Sequence, residues 1–175
     1  MKTLKTNDAK YREEIISLYI EAFSTGLSQQ YIDLEELNKY MDIIFNNGEV
    51  LLAIENEELL GGLLSCPLKY DKSLPKKISE NFNLNKCVYV AEMMVAEKKR
   101  GKGIGKHLLS EFFATVDKSV YTDAFLRVWK ENLIAIDLYR KMGFEPIADI
   151  EQTKMKADKS GTFIMKKIYL HKKLD

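Results

Sequence analysis

The stretch Met93-Met94-Val95-Ala96-Glu97-Lys98-Lys99-Arg100-Gly101-Lys102-Gly103-Ile104-Gly105-Lys106 carries the chain from one kind of order into another. Upstream, Cys87 to Ala96 is an apolar run broken by one charge, Glu92, as a buried central strand would be. Downstream, Ile104, Leu108, Leu109, Phe112, Phe113 and Val116 recur on one face of a helix. Anions bind well where a strand delivers the chain into a helix. The first N–H groups of the helix have no internal partners, and its dipole is positive there. Gly101, Gly103 and Gly105 clear side chains from the approach, while Arg100, Lys102 and Lys106 surround it with charge, backed by Lys98 and Lys99.

A plain glycine-rich turn with solvated lysines would look the same in isolation. Spacing excludes two common nucleotide loops. A P-loop ends in Gly-Lys-Ser/Thr, whereas Gly105-Lys106 runs into His107; a dinucleotide fingerprint needs G-x-G-x-x-G, whereas Gly103 is followed two positions on by Gly105.

Working outward, Tyr11, Ile15, Leu18, Tyr19, Ala22 and Phe23 predict an amphipathic helix ending near Gly26. Leu34, Leu37, Tyr40, Met41, Ile44 and Phe45 predict a second, stopped by Asn46-Asn47-Gly48. Glu49 to Glu55 and Leu59 to Pro67 predict an antiparallel hairpin, and the polar, aperiodic segment Asp71 to Lys86 an exposed loop. Beyond the central helix, Ala124 to Trp129 predicts a strand. Asn132 can cap a helix carrying Ala135, Leu138, Tyr139 and Met142, closed by Gly143. Phe144 to Ile150 and Thr162 to Leu170 predict the last two strands, separated by the charged segment Glu151 to Gly161. The order is ααββ, then β-loop-α, β, α, β, β, which is an α/β protein with one domain over residues 1–175.

Composition narrows the function. Lys plus Arg total 27 against 26 Asp plus Glu, so a net charge of +1 gives no field to gather nucleic acid or a membrane surface. Cys66 and Cys87 sit in apolar runs as small hydrophobes rather than as a disulfide. Residues 1–10 lack the apolar core of a signal peptide and no run approaches a membrane span, so a cytoplasmic protein is expected. Neither His107 nor His171 has a second ligand at helical spacing, so no metal is expected.

The segment Arg100-Gly101-Lys102-Gly103-Ile104-Gly105 resembles the R/Q-x-x-G-x-G/A motif of the GNAT N-acetyltransferase superfamily. Asn132 to Phe144, an asparagine-led helix ending in tyrosine and Gly-Phe, is similar to the second signature of that family. Glu97 departs from it, standing where many members have proline. The resemblance implies a mixed sheet of about six to seven strands with four main helices on its faces, splayed between its two central strands. It implies acetyl-CoA as cosubstrate, with the phosphates on Arg100, Gly101, Lys102, Gly103, Ile104, Gly105 and Lys106. Met93 and Val95 would hold the pantetheine arm through their backbone, with a secondary contact from Asn132.

The resemblance also implies transfer to a primary amine. An amine like that of lysine, with an ordinary pKa of about 10.4, must lose a proton before attacking. Glu92, a lone carboxylate in an apolar strand, is the candidate base, unless it faces solvent or pairs with a cation. Tyr139 stands where the family places a proton donor for the departing thiolate, although an inward tyrosine also serves a core. A silent acyl-CoA-binding protein of the same fold is the alternative to an enzyme, and a small-molecule or peptide amine is the expected partner. Acids around the first two helices, among them Glu21, Asp33, Glu35, Glu36, Asp42 and Glu49, suggest a cationic acceptor. Pairing of the last strand across a two-fold would make a homodimer.

Overall fold

The computed structural model describes residues 1–26 and 28–175. Its described strands are β1 (Lys2–Lys5), β2 (Glu49–Glu55), β3 (Glu58–Pro67), β4 (Cys87–Val95), β5 (Asp123–Trp129), β6 (Glu145–Met155) and β7 (Thr162–Lys173). They form one sheet in the order β1-β2-β3-β4-β5-β7-β6. Only β4 and β5 run parallel. Helices α1 (Arg12–Ser24) and α2 (Leu34–Asn47) cover one face, where Ile15, Met41 and Ile44 are fully buried. Helices α4 (Ile104–Thr115) and α5 (Leu133–Lys141) cover the other, where Leu108, Leu109 and Phe112 are buried. A short helix, α3 (Lys76–Ser79), lies between β3 and β4.

Local chemistry sets the ends of these helices. Asp33 accepts from the N–H groups of Glu35 and Glu36 to start α2, and Asn132 accepts from Ala135 N–H at 3.2 Å to start α5. Gly143 closes α5 at φ +87°. The turn between β2 and β3 uses Asn56 and Glu57 at φ +50° and +66°, the left-handed geometry of a tight hairpin.

Three expectations need correction. Segment 71–86 is not an exposed loop: Ile78 is fully buried and the Phe82 ring lies 5.0 Å from that of Phe125. Leu74, Ile78 and Phe82 recur every four residues, enough apolar surface to seal this end of the core despite the polar residues between them. The last hairpin is also longer than predicted, because Glu151 to Met155 continue β6 with exposed and half-buried residues in alternation. Finally, β7 has β5 on one side and β6 on the other, so the last strand has no free edge for a two-fold; the edges are β1 and β6.

The centre of the sheet positions the chemistry. β4 and β5 pair only from Cys87/Asp123 to Val90/Leu126, after which they part. On the other side of β4, Leu64 pairs with Glu92 but Ser65 pairs with Val90, so Ala91 is an extra residue in a β-bulge. The bulge reverses side-chain parity. Cys87, Tyr89 and Ala91 join the core under α1 and α2, with Met94, whereas Met93 and Val95 join the core under α4. Without the extra residue Glu92 would follow Val88 and Val90 to the α4 face; with it, Glu92 meets α2.

Candidate functional site

The glycine-rich loop has the geometry the sequence anticipates at two of its three glycines. Gly101 and Gly103 adopt φ +76° and +81°, and a Cβ on either would meet nothing within 4 Å, so open space lies in front of the backbone. Gly103 is the N-cap of α4 and no side chain caps that helix, which leaves its first N–H groups for an anion. Gly105 serves packing instead: a Cβ there would stand 3.3 Å from Met93 Cε and 3.5 Å from Leu138 Cδ2. Ile104 is buried beneath the loop.

The basic residues divide into two sets. Arg100 donates from Nε to the Val95 carbonyl at 3.1 Å, and Lys99 pairs with Glu58 at 2.6 Å; both tie the loop to the sheet. Lys98, Lys102 and Lys106 have no acidic partner among the described residues. Glu97 holds the loop through its backbone, donating its N–H to Glu21 on α1 at 2.7 Å, a bond that the family's proline could not make.

The edge of β4 that β5 abandons is open. Ala96 N–H donates to Leu60, and the Met94 carbonyl lies against Gly61, so these residues address β3. By alternation the backbone groups of Met93 and Val95 face the gap, with the Val95 carbonyl already taken by Arg100.

On the α1/α2 side a cavity of about 260 Å³ reaches Glu92, between Tyr19, Tyr40 and Tyr89. Tyr40 donates its hydroxyl to Glu92 Oε1 at 3.0 Å. Burial pushes the Glu92 carboxyl above its ordinary range, opposed by the Lys167 charge, the Tyr40 hydrogen bond, and the Arg127 and Lys154 charges. Burial also raises the phenols of Tyr40 and Tyr89 far out of the neutral range. The Cys66 thiol on the cavity wall is likewise pushed up by burial, to about 12, and is a wall rather than a nucleophile. Both cysteines are free and buried.

Sequence reading missed the ion pair in the floor. Arg127 on β5 meets Asp71 at 3.2 Å and donates to the Tyr169 hydroxyl at 2.9 Å, while Tyr169 donates to the second Asp71 oxygen at 2.7 Å. Asp71 is the first residue of the supposed loop, and this bond holds the segment over the cavity. Ser73, two residues on, accepts from Gln152 on β6. The one available signal was Arg127 as the lone charge within Ala124 to Trp129.

Tyr139 is 7% exposed, packed on the α4/α5 side with its ring 6.1 Å from that of Phe144. Burial and then the Glu92 charge raise its phenol, so it keeps its proton at neutral pH. The hydroxyl has no partner among the described residues and is not one of the sealed orphan atoms, so it opens onto accessible space. Asn132 spends its carbonyl oxygen on the α5 cap, leaving only its amide nitrogen for a ligand.

The acids around the helices are mostly spent. Glu49 pairs with Lys5, Asp42 with Arg12, and Glu35 and Glu36 with Lys39; Asp33 is a cap and Glu21 a loop tether. Of these only Glu36 reaches the cavity, so the acidic helix surface carries no argument for a cationic acceptor. No His, Cys, Asp and Glu grouping suited to a metal occurs among the described residues, and no described helix is long and apolar enough to cross a membrane.

A bulged strand, a parallel neighbour that parts from it and an uncapped helix after a glycine turn meet at the centre of the sheet. The family model described as "Acetyltransferase (GNAT) family" matches residues 12–144, and the chain belongs to this family. Over 60 residues it is 38% identical to an uncharacterized N-acetyltransferase, YobR, of Bacillus subtilis (strain 168), a match covering 34% of this chain and 24% of that protein. The chain thus spans about a quarter of the length of that relative. Its fold is similar to that of a ribosomal-protein-alanine N-acetyltransferase from Brucella melitensis, with TM-score 0.75 and 18% identity over 99% of this chain and all of that one. A GNAT superfamily phosphinothricin acetyltransferase from Sinorhizobium meliloti, in complex with AcCoA, gives TM-score 0.71 and 18% identity over 99% of this chain and 89% of that one.

Proposed function

We propose that the protein moves the acetyl group of acetyl-CoA to a primary amine by direct attack in a ternary complex. The observation that carries this reading is the bulge at Ala91, which turns Glu92 into the cavity at the point where β4 loses β5. Acetyl-CoA would lay its phosphates on the N–H groups after Gly103, with Lys102 and Lys106 nearby, and thread its arm along the open edge at Met93 and Val95. Its thioester would then lie between the Glu92 side and the Tyr139 side of the sheet.

In the reaction, Glu92 takes a proton from the incoming ammonium, directly or through one water, and the freed nitrogen lone pair attacks the thioester carbonyl. The Val95 N–H, facing the gap, stabilises the oxyanion as charge develops. Collapse breaks the C–S bond and the thiolate takes the Tyr139 proton; the phenolate takes the second proton from the nitrogen, through water, Glu92 returns its proton to solvent, and a neutral amide and CoA leave. A raised Glu92 pKa makes the carboxylate a stronger base, and a raised Tyr139 pKa keeps its proton available.

The test is release of free CoA thiol by purified protein given acetyl-CoA and a panel of amines. Acceptor-dependent release, with an N-acetyl product seen by mass spectrometry, is expected. Binding of acetyl-CoA without release by any amine would instead favour a silent acyl-CoA-binding protein.

A further inference from the structure

The face of the sheet that holds Glu92 continues beyond the cavity onto β7 and β6. Cross-strand partners share a face, and the register sets Lys167 opposite Ile150 and beside Trp129, with Lys154 opposite Phe163. Arg127, Lys154 and Lys167 therefore sit on the α1/α2 face, where an apolar strip would be the ordinary choice. The segment between α1 and α2 crosses to the same hairpin, through a bridge from Gln30 to Lys156 and a bond from Tyr31 N–H to the Met155 carbonyl at 2.9 Å.

Lysines on the opposite face of this region have acidic partners. Lys166 meets Glu151 at 3.7 Å and Lys130 meets Asp149 at 2.6 Å. The Lys154 and Lys167 side chains meet none among the described residues and make no hydrogen bond there, though both are half-buried. Neither ammonium is a sealed orphan, so both remain accessible to a ligand on this face of the sheet. Arg127 cannot answer them, since it is itself a cation and is held by Asp71 and Tyr169. Two carboxylates act on Lys167, and of these Asp71 is taken by Arg127 and Tyr169 while Glu92 is the one the proposed reaction protonates. Gln152, between Lys154 and Ile150 on the same face, leaves its Oε1 buried without a partner. A half-buried cation without an ion pair loses part of its hydration without return. Arg127, Lys154 and Lys167 face only Asp71 and Glu92 here, which leaves cationic charge in surplus once Glu92 has taken a proton.

We propose that Lys154 and Lys167 form an anion subsite, so that the acceptor is an amine that also bears a carboxylate or phosphate group. The anion sits between the two ammonium groups while the amine reaches Glu92 across the strand. Burial lowers both lysine pKa values, that of Lys167 to about 8, as expected of cations that wait for a ligand's charge. This inference rests on the acetyl-transfer reading only for which ligand enters the cleft.

The test uses matched pairs: L-phenylalanine with phenethylamine, L-methionine with 3-(methylthio)propylamine, and O-phosphoethanolamine with ethanolamine. The anionic member of at least one pair should show kcat/KM higher by about tenfold or more, and the pair type that does so separates carboxylate from phosphate. In Lys154→Met and Lys167→Met the ratio should fall toward one, with KM for acetyl-CoA unmoved, whereas Lys166→Met on the other face keeps the ratio. Binding is read independently by calorimetric titration of the CoA-loaded protein with N-acetylphenylalanine, N-acetylmethionine and N-acetylphosphoethanolamine, and with their counterparts lacking the anion. Tighter binding of an anionic member that depends on both lysines supports the subsite even if no amine is acetylated, an outcome that would sink the transfer reading alone. Equal or weaker binding of every anionic member, or a preference that survives both substitutions, overturns the subsite.

Discussion

Tyr40 on α2 and Glu92 on β4 are joined by a 3.0 Å hydrogen bond from phenol to carboxylate, 52 residues apart in sequence. The bond favours the ionised carboxyl, against the burial that disfavours it, so α2 tunes the proposed base without touching the acyl carrier. Removing the donor in Tyr40→Phe should raise the Glu92 pKa further and move the acid limb of the kcat/KM profile to higher pH. A change in stability with no shift of that limb would make Tyr40 purely structural.

The sign of the Glu92 effect follows from its raised pKa. The base is active when ionised, so kcat/KM should rise with pH through a midpoint above the ordinary glutamate range. Glu92→Gln should remove this limb, leaving only the acceptor's own ionisation, and lower kcat by about 10²–10⁴. Stability runs the other way: a carboxyl with a raised folded pKa contributes fully below its unfolded pKa, and that contribution is lost as pH rises through the folded value. Glu92→Gln should therefore gain stability relative to the parent as pH rises, measured by denaturant melts at several pH values.

Lys167 gives the converse case. Its folded pKa of about 8 lies below the ordinary 10.5, so the stability tied to its neutral form is present above the unfolded value and is lost as pH falls through about 8. At pH 7 the unliganded protein holds a charge it has not paired. Lys167→Met should then stabilise it by about 1–2 kcal/mol, a discounted share of the roughly 1.4 kcal/mol that each unit of a lowered pKa represents. A destabilised variant would mean that the ammonium has a structural partner.

The loop separates two roles of glycine. Gly103→Val places a β-branched residue at φ +81° in front of the uncapped helix, costing about 1–2 kcal/mol in strain and closing the backbone to phosphate. The heat stabilisation that acetyl-CoA gives the parent should vanish in this variant. Gly105→Ala meets only the side-chain ends of Met93 and Leu138, at an ordinary φ, and should keep most of the ligand shift. An undiminished shift in Gly103→Val would place the phosphates elsewhere.

Periodicity was enough for the four long helices and for six strands, because Ile104 to Val116 or Tyr11 to Phe23 announce one buried face by spacing alone. It could not find β1, four residues with Leu4 as the lone apolar member, whose order comes from pairing along the edge of β2. Nor could it find the bulge: one extra residue at Ala91 leaves no trace in composition, yet decides which face Glu92 occupies. The glycine loop was legible because its chemistry is local to six residues. The Arg127, Asp71 and Tyr169 cluster was not, since its members are distant in sequence and meet only when the sheet closes. Lys154 and Lys167 resemble Lys166 in the sequence, and only strand register tells the cleft face from the solvent face.

Tyr139 offers the sharpest test of the proposed chemistry, because one oxygen can be removed with little change of shape. Its hydroxyl has no partner to abandon among the described residues, so Tyr139→Phe should cost the fold little, unlike a phenol whose loss strands a buried acceptor and costs about 1–3 kcal/mol. If the phenol protonates the departing thiolate, kcat should fall by about 10²–10⁴. The acetyl-CoA dissociation constant should hold, because the proposed phosphate site at Gly101 and Gly103 lies on a different element from Tyr139. A drop in kcat at constant affinity marks an interaction made only in the transition state. The loss should shrink with an acyl donor whose thiol is more acidic than that of CoA, since a better leaving group needs its proton less. Full kcat in Tyr139→Phe, at saturating acetyl-CoA and acceptor on protein shown to be folded, would return Tyr139 to the core beside Phe144.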